Sequence, residues 1–441
     1  MRSVVFVEHL EFDFPGNVFP NAIILGDVDN DNENELIVAN VEGQLTVFKG
    51  SNTLPWANCS NLGMISCIGI GDICSMKKNC LVTISAEGVC HMFSLDPSSH
   101  NEDEKKKASE DPFRLSPCHI QHLPANIKVV LIEDIDGDGK MEFVVGQTDR
   151  VVQAYRWVEN QPSATNDSSS IFAPGKLVLL QKWHLNGQIG SLSLGRHRDG
   201  RPKLVVSQPG CNYAELQCSW VKVQDEEVAS GAYSSKGESY VKWHPISNKR
   251  ARNSNVTTEL VGRVRQSAED TDDVVPNRMA MCTLDGTLMM LEEDKILWSL
   301  LVDRQLFSLT KFDINCDGQD EVVVCAWDGW TYLVDHSQES VRFHFQENVC
   351  AFCAGQYSST TGTNRPCLVY ATFNKRIYLY CNVQLPRIPS SDLQQVLSEN
   401  EKVQEKLKEL KIDANDTSKL RELYQWCFYG NHARNKTEDK T

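Results

Sequence analysis

Three times the chain threads single residues between carboxylates and then runs straight into aliphatic or β-branched residues. The copies are Asp27-Val-Asp29-Asn-Asp31-Asn-Glu-Asn-Glu35, Asp134-Ile-Asp136-Gly-Asp138-Gly-Lys-Met-Glu142 and Asp313-Ile-Asn315-Cys-Asp317-Gly-Gln-Asp-Glu321. They lead into Leu36-Ile-Val38, Phe143-Val-Val145 and Val322-Val-Val324. Side-chain oxygens at positions 1, 3, 5 and 9, with a backbone carbonyl at position 7, form the hard-oxygen set that Ca²⁺ prefers. An EF-hand loop has twelve residues and is followed by a helix. Here nine residues are followed by a strand, so the motif reads as a repeated strand–loop–strand cation site.

The repeat extends beyond the acids. Seven residues after Leu36 lies Gly43, and the same ruler leads from Leu81 to Gly88, Phe143 to Arg150 and Leu204 to Cys211. It continues from Met279 to Gly286, Val322 to Gly329 and Leu368 to Lys375. Each unit is an apolar strand, a tight turn carrying Gly, Asp or Asn, and a second strand such as Leu45-Thr-Val-Phe48. Those residues tolerate the positive φ of hairpin turns. Anchors recur at about 45 residues in the tight steps and about 60–75 where polar stretches intervene. A multi-strand repeat of that period is the signature of a β-propeller. The expected fold is therefore all-β, a seven-bladed β-propeller with a short C-terminal helical extension. Asp72 opens a unit that retains one acid of the set, and the units at Leu204, Met279 and Leu368 have no such loop. A repeat that keeps its strands while losing its acids is a scaffold first.

The propeller is expected over residues 1–388, with polar insertions near 97–112, 159–174 and 224–277. Residues near Val4–Val7 are expected to complete the last blade. After Pro386 and Pro389 the periodicity becomes helical, and helices are expected across 389–430. Ser391-Asp-Leu393-Gln394 reads as a capping box, Asn415-Asp-Thr417 opens a second helix, and 431–441 is a disordered tail. Leu393, Leu397, Leu407, Leu410, Leu420 and Trp426 fall on the apolar faces.

Net charge is −15, with 44 Lys+Arg against 59 Asp+Glu, which argues against nucleic acid as a partner. No apolar run reaches the roughly 18 residues of a membrane span. The start, Met1-Arg2-Ser-Val-Val-Phe-Val-Glu8, meets charge too early for a secretory signal. The 16 cysteines, Cys80, Cys282, Cys325 and Cys367 among them, are then expected to be reduced core residues. Catalysis finds little support. Cys350-Ala-Phe-Cys353 lies in an apolar strand pattern, where positions i and i+3 face opposite ways. There is no Gly-rich phosphate loop, no His-Glu-x-x-His and no Gly-x-Ser-x-Gly. A non-catalytic binding scaffold therefore competes with a calcium-dependent adhesion propeller and with an enzyme using the central channel.

The candidate metal ligands are Asp27, Asp29, Asp31 and Glu35; Asp134, Asp136, Asp138 and Glu142; and Asp313, Asn315, Asp317 and Glu321. The cofactor they imply is structural Ca²⁺, at low occupancy if the sites have the roughly 10⁻⁴–10⁻³ M affinity of extracellular modules. The alternative is that the acids cap backbone N–H groups in metal-free turns.

The Asp-x-Asp-x-Asp-Gly loops resemble the FG-GAP repeats of integrin α subunits. Specific strings extend the likeness: Leu25-Gly26-Asp27, Pro124-Ala-Asn126, Val206-Ser-Gln-Pro-Gly-Cys211, Cys325-Ala-Trp-Asp-Gly329 and Cys367-Leu-Val-Tyr370. Through them nearly the whole chain resembles a vertebrate family of integrin-alpha FG-GAP repeat-containing proteins. The resemblance implies an intracellular scaffold subunit of the KICSTOR complex, partnered by the other KICSTOR subunits and the GATOR complex. It implies a cytoplasmic protein held peripherally at the lysosomal membrane by its partners, restraining TOR complex 1 when amino acids or glucose are scarce.

Overall fold

In the computed structural model, the described residues are all except 1–3, 5–7, 96–111, 160–174, 198, 223–232, 236–239, 247–252, 254, 267–276, 361, 387–400, 411, 414–415 and 430–441. The seven anchors of the sequence ruler (Leu36, Leu81, Phe143, Leu204, Met279, Val322 and Leu368) are all at most 1% exposed. Each lies on the second strand of a sheet of its own, antiparallel except that Phe113–Arg114 adds a fifth, parallel strand to the sheet of Leu36. An apolar side chain at one register position in seven sheets gives each sheet a face to bury against the next.

The blades are Ile23–Gly26, Glu35–Ala39, Leu45–Phe48 and Ala57–Cys59; Ile65–Gly71, Cys80–Ser85, Val89–Phe93 and His119–His122; and Ile127–Glu133, Glu142–Gln147, Val151–Glu159 and Gly175–His184. Blade 4 is Leu192–Arg196, Pro202–Gln208, Asn212–Leu216 and Val241–Pro245, and blade 5 is Thr258–Val261, Arg278–Thr283, Thr287–Glu292 and Lys295–Leu301. Blade 6 is Leu306–Phe312, Glu321–Ala326, Trp330–Val334 and Ser340–His344. Blade 7 takes Val349–Thr360, Thr363–Thr372 and Arg376–Cys381 from the end of the propeller, and its fourth strand, Glu8–Asp13, from the start. First strands touch first strands from blade to blade, and the first strand of blade 7 returns to that of blade 1. The protein is a closed seven-bladed β-propeller. Its first strands surround a cavity of about 600 Å³ whose lining includes Asn126, Lys128, Glu259, Phe307 and Trp327.

Two sequence expectations are refined. The described closing strand is Glu8–Asp13; of the expected Val4–Val7, residues 5–7 lie outside the described residues. Phe12 is fully buried there while Glu8, His9 and Glu11 stay exposed, the half-buried alternation of an outer strand. Asp13 pairs with Arg376 and Glu8 with Cys381 across the closure. The stretch 224–277 is likewise no mere insertion. It supplies the fourth strand of blade 4 and the first of blade 5, plus a short strand, Tyr233–Ser235, paired with Trp220–Lys222.

Arg2–Pro386 form one compact unit, and Arg387–Thr441 together with Met1 form another. The second contains helices α1 (Glu401–Glu409) and α2 (Thr417–Tyr429). Asp416 Oδ1 accepts the backbone N–H groups of Ser418 and Lys419, so the expected helix start at Asn415–Thr417 is an N-cap at Asp416. The Ser391 capping box, Leu393, Leu397 and the tail 431–441 lie outside the described residues. Leu407 and Leu420 are buried, whereas Leu410 and Trp426 are exposed. No helix among the described residues is long and apolar enough to cross a membrane.

Candidate cation loops

Each acidic loop joins the first strand of a blade to the second, and position 1 folds it. Asp27 Oδ1 accepts the N–H of Asn30 at 2.6 Å and its Oδ2 that of Asn32 at 2.9 Å. Asp134 takes Gly137 N at 2.7 Å and Gly139 N at 2.8 Å, and Asp313 takes Asp317 N at 3.1 Å and Gly318 N at 2.7 Å. The reduced loop of blade 2 does the same, Asp72 accepting Met76 N at 2.8 Å and Lys77 N at 2.6 Å. Position 1 is therefore a backbone cap, and that need explains why blade 2 keeps this acid after losing the rest. Asn32 and Gly139 both take positive φ, 67° and 83°, where Asn and Gly are tolerated.

Position 9 closes the loop from its other end. Glu35 Oε2 accepts Val28 N at 3.1 Å, Glu142 Oε2 accepts Ile135 N at 3.0 Å, and Glu321 Oε2 accepts Ile314 N at 3.1 Å. Position 5 spends one oxygen on position 7: Asp31 on Glu33 N, Asp138 on Lys140 N and Asp317 on Gln319 N, at 2.8–3.0 Å. In the first two loops, at least one oxygen each from positions 3, 5 and 9 is not used by these backbone caps, and Asp29 uses neither of its two.

In the first two loops a basic side chain sits on those oxygens. Lys49 Nζ lies 2.6 Å from Asp29 Oδ2, 2.6 Å from Asp31 Oδ2 and 2.9 Å from Glu35 Oε1. Arg156 reaches Asp136 Oδ2 at 3.1 Å and Asp138 Oδ2 at 2.8 Å, and its Nε donates to Glu142 Oε1 at 2.7 Å. Both cations come from the third strand or its end, directly across from the position-9 glutamate. Glu142 and Arg156 are register partners, and Glu35 and Lys49 lie one step beyond the Leu36–Phe48 pair. Trp56 packs 5.3 Å from the Lys49 ammonium, and Trp220 Nε1 donates to Asp136 Oδ2 at 2.9 Å.

Three carboxylates around one cation leave excess negative charge in a partly dry site. Burial pushes the Glu35 carboxyl up to about 7 against the pull of Lys49, and the Glu142 carboxyl up to about 7 against its hydrogen bonds to Ile135 N and Arg156. Burial works against the Lys49 ammonium too, but its bonds to Asp29, Asp31 and Glu35 hold it above the ordinary lysine value.

The third loop is arranged differently. Asn315 turns its amide N–H onto Glu321 Oε1 at 2.7 Å. One step beyond the Val322–Val334 pair, across from Glu321, stands Asp335, whose Oδ1 caps Glu339 N at 2.8 Å. The basic groups here meet position 8 instead: Asp320, 1% exposed, takes Lys311 Nζ at 2.8 Å and Arg265 at 3.2 Å. Their charges hold its carboxyl below the usual range despite burial.

The donor oxygens thus suit a cation, and an oxygen from each of Asp27, Asp29 and Glu35, or of Asp134, Asp136 and Glu142, lies within 4.8 Å of the others. Yet the converging oxygens of loops 1 and 2 already contact nitrogen. The structure keeps each set of acids within one loop and adds Lys49 and Arg156, which sequence reasoning missed. The signal was present: a lone basic residue fourteen positions after the glutamate, in or just past an otherwise apolar strand.

A family model for integrin-alpha FG-GAP repeat-containing protein 2 matches residues 49–385. The chain belongs to that family. A mouse (Mus musculus) relative named KICSTOR complex protein ITFG2 is 44% identical over 97% of this chain and 96% of its own length. A cattle (Bos taurus) relative of the same name is 44% identical over 90% of this chain and 74% of its own. Among solved structures, BBS1N from its complex with ARL6DN superposes with a TM-score of 0.55 at 11% identity, covering 87% of this chain and 97% of that one. Raptor of Chaetomium thermophilum gives 0.52 at 11% identity over 88% of this chain and 29% of its own. At such identities these two likenesses show the propeller fold alone.

In this family member the apolar and cysteine-bearing motifs serve packing. Cys80, Cys282, Cys325 and Cys367 are buried and unpaired. Trp327, beside the Asp328-Gly329 turn, stacks on Phe307 with centroids 4.0 Å apart. The central cavity's lining includes Glu259, whose carboxyl burial pushes up, and Lys128, whose Nζ donates to the Ile189 carbonyl at 3.1 Å. Among the described residues, neither His nor Cys lines it.

Proposed function

We propose that this protein is a non-catalytic scaffold subunit of a KICSTOR-type complex. In this reading it helps tether the GATOR complex to lysosomes and so restrains TOR complex 1 when amino acids or glucose are limiting. The observation that carries the reading is the 44% identity, over 97% of the chain, to a mouse protein named for that complex. The fold is consistent with it: a closed propeller offers rigid loop faces for other proteins, and those faces surround the central channel. Acidic loops that already hold basic side chains support a scaffold over a calcium-dependent adhesion module.

The test is native purification of the tagged full chain, with mass spectrometry of what accompanies it, from fed and amino-acid-starved cells. KICSTOR subunits and GATOR components should co-purify, and deleting the gene should leave TOR complex 1 active after starvation. Recovery of the chain alone, or a normal starvation response without it, would overturn the proposal.

A further inference from the structure

We infer that the first two acidic loops carry their own cation, and that Lys49 and Arg156 occupy the place that a divalent ion takes in calcium-binding loops of this pattern. Three observations lead there. The oxygens contacted are among those left over once backbone capping is satisfied, one each from positions 3, 5 and 9, in both loops. Both basic groups arise from the same cross-strand position, facing the glutamate, so the substitution is a register feature and not a chance surface contact. Finally, Lys49 and Arg156 side chains are 21% and 7% exposed, with partner glutamates fully buried, which places the nitrogens inside the oxygen cluster.

A Ca²⁺ ion would need those same oxygens at about 2.3–2.6 Å. It could enter only after an ammonium or guanidinium left, pulling a charged side chain out of its pairs. The loops therefore fold without metal, and their contribution to the propeller is independent of calcium.

The same cross-strand position varies in the other blades: blade 6 faces Glu321 with Asp335, and blade 4 faces Lys203 with Gln217, one step beyond Leu204–Leu216. Blade 5 reverses the polarity, Arg278 on the second strand meeting Glu292 on the third at 3.2 Å. Blade 7 places Cys367 across from Cys381, one step beyond Leu368–Tyr380, and blade 2 places Cys80 across from Ser94. In blades 2 and 7 the glutamate and the basic partner are both absent.

The experiment uses the purified full chain, freed of metal by chelation, in two parts. In the first, lysine acylation of the wild type is followed by mass spectrometry with and without 2 mM CaCl₂. Lys49 should react at least tenfold more slowly than the exposed Lys402, at a rate calcium leaves unchanged. Unmasking of Lys49 by calcium would overturn the inference. In the second, CaCl₂ is titrated calorimetrically into wild type, Lys49→Ser and Arg156→Ser. Each variant should gain a site at least tenfold tighter than anything in the wild type, abolished by adding Asp31→Asn or Asp138→Asn respectively. Wild-type binding that is lost with Asp31→Asn or Asp138→Asn would also overturn it. Wild-type binding lost only with Asp317→Asn would place the ion in the third loop and leave the inference standing. Should a serine variant fail to fold, the acylation result on the wild type still decides for Lys49.

Discussion

Across from Glu142 in blade 3 stands Arg156; across from Glu321 in blade 6 stands Asp335. The two loops share Asp at positions 1 and 5, Gly at 6 and Glu at 9; in both, position 1 caps the N–H of position 6 at 2.7–2.8 Å and position 9 that of position 2 at 3.0–3.1 Å. Their electrostatics nonetheless differ. Blade 3 gathers three carboxylates on one guanidinium, whereas blade 6 uses a neutral Asn315 amide and sends its lysine and arginine to Asp320. The difference separates two jobs that a linear motif runs together. Positions 1 and 9 fold the loop through backbone N–H groups, and the strand opposite decides what charge it holds.

The largest effect should come from Arg156→Met. It leaves Asp136, Asp138 and a fully buried Glu142 without their common partner, and breaking such a buried pair costs about 3–5 kcal/mol. Urea unfolding should show the loss, and lowering the pH should recover part of it as Glu142 is protonated. The sign follows from a carboxyl already raised to about 7: ionising it above that pH works against the folded state. A variant as stable as wild type at pH 8 would mean that the guanidinium adds nothing to the pair.

How much of this was legible depends on whether a feature is local. The ruler from anchor to turn was readable because each turn is closed by residues a few positions apart, as in Gly88 N to Ser85 O and Gly329 N to Ala326 O. Gly286 illustrates the constraint: at φ 91°, a Cβ there would meet Val302 O at 2.0 Å. Yet Arg150 and Lys375 occupy the same turn position at φ 69° and 63°, so the conformation outranks the residue type. Val241–Pro245 escaped notice because as an outer strand only His244 is buried, and its composition matches the polar stretch around it. The described closing strand, Glu8–Asp13, was not singled out for a related reason. Val4–Val7 looks more strand-like than Glu8–Asp13, but an outer strand needs one apolar face, which Leu10 and Phe12 provide. Lys49 and Arg156 required the register between strands, which no single segment displays.

If capping is a separate job, removing position 1 should cost the same with or without a cation nearby. Asp134→Ala in blade 3, Asp313→Ala in blade 6 and Asp72→Ala in blade 2 each free two backbone N–H groups at largely exposed turns. Each should lower stability by about 1–2 kcal/mol. Thermal melts of the three, run side by side, should agree within experimental scatter. A loss confined to Asp134→Ala would tie the cap to the guanidinium and dissolve the distinction drawn between blades 3 and 6.

Asp136→Ala removes one acid of the three that share Arg156 and leaves Trp220 Nε1 without its acceptor. These act against each other, since fewer carboxylates around one cation also relieves their mutual repulsion. The expected loss is about 1 kcal/mol, well below that of Arg156→Met. Asn315→Asp makes the converse change in blade 6, replacing the amide that donates to Glu321 with a like charge, and should lower stability by a similar amount. Calcium at millimolar concentration should then raise the melting temperature of Asn315→Asp more than that of Asp136→Ala. The former presents a full acid set with no basic residue opposite, while the latter keeps its guanidinium.

Blade 5 offers the finest test, because nature has already exchanged the two partners there. Arg278 lies on the second strand, 16% exposed, and Glu292 on the third, 45% exposed, so solvent screens the pair. Swapping them, Arg278→Glu with Glu292→Arg, would recreate the polarity of blade 3 without its loop. If the cross-strand position tolerates either polarity, the double variant should unfold within about 0.5 kcal/mol of wild type, and each single variant, which puts like charges face to face, should lose about 0.5–1 kcal/mol. A double variant no better than the two singles combined would show that these residues do not sense each other. The basic residues of blades 1 and 3 would then owe their placement to the acids at positions 3 and 5, not to the glutamate across the strand.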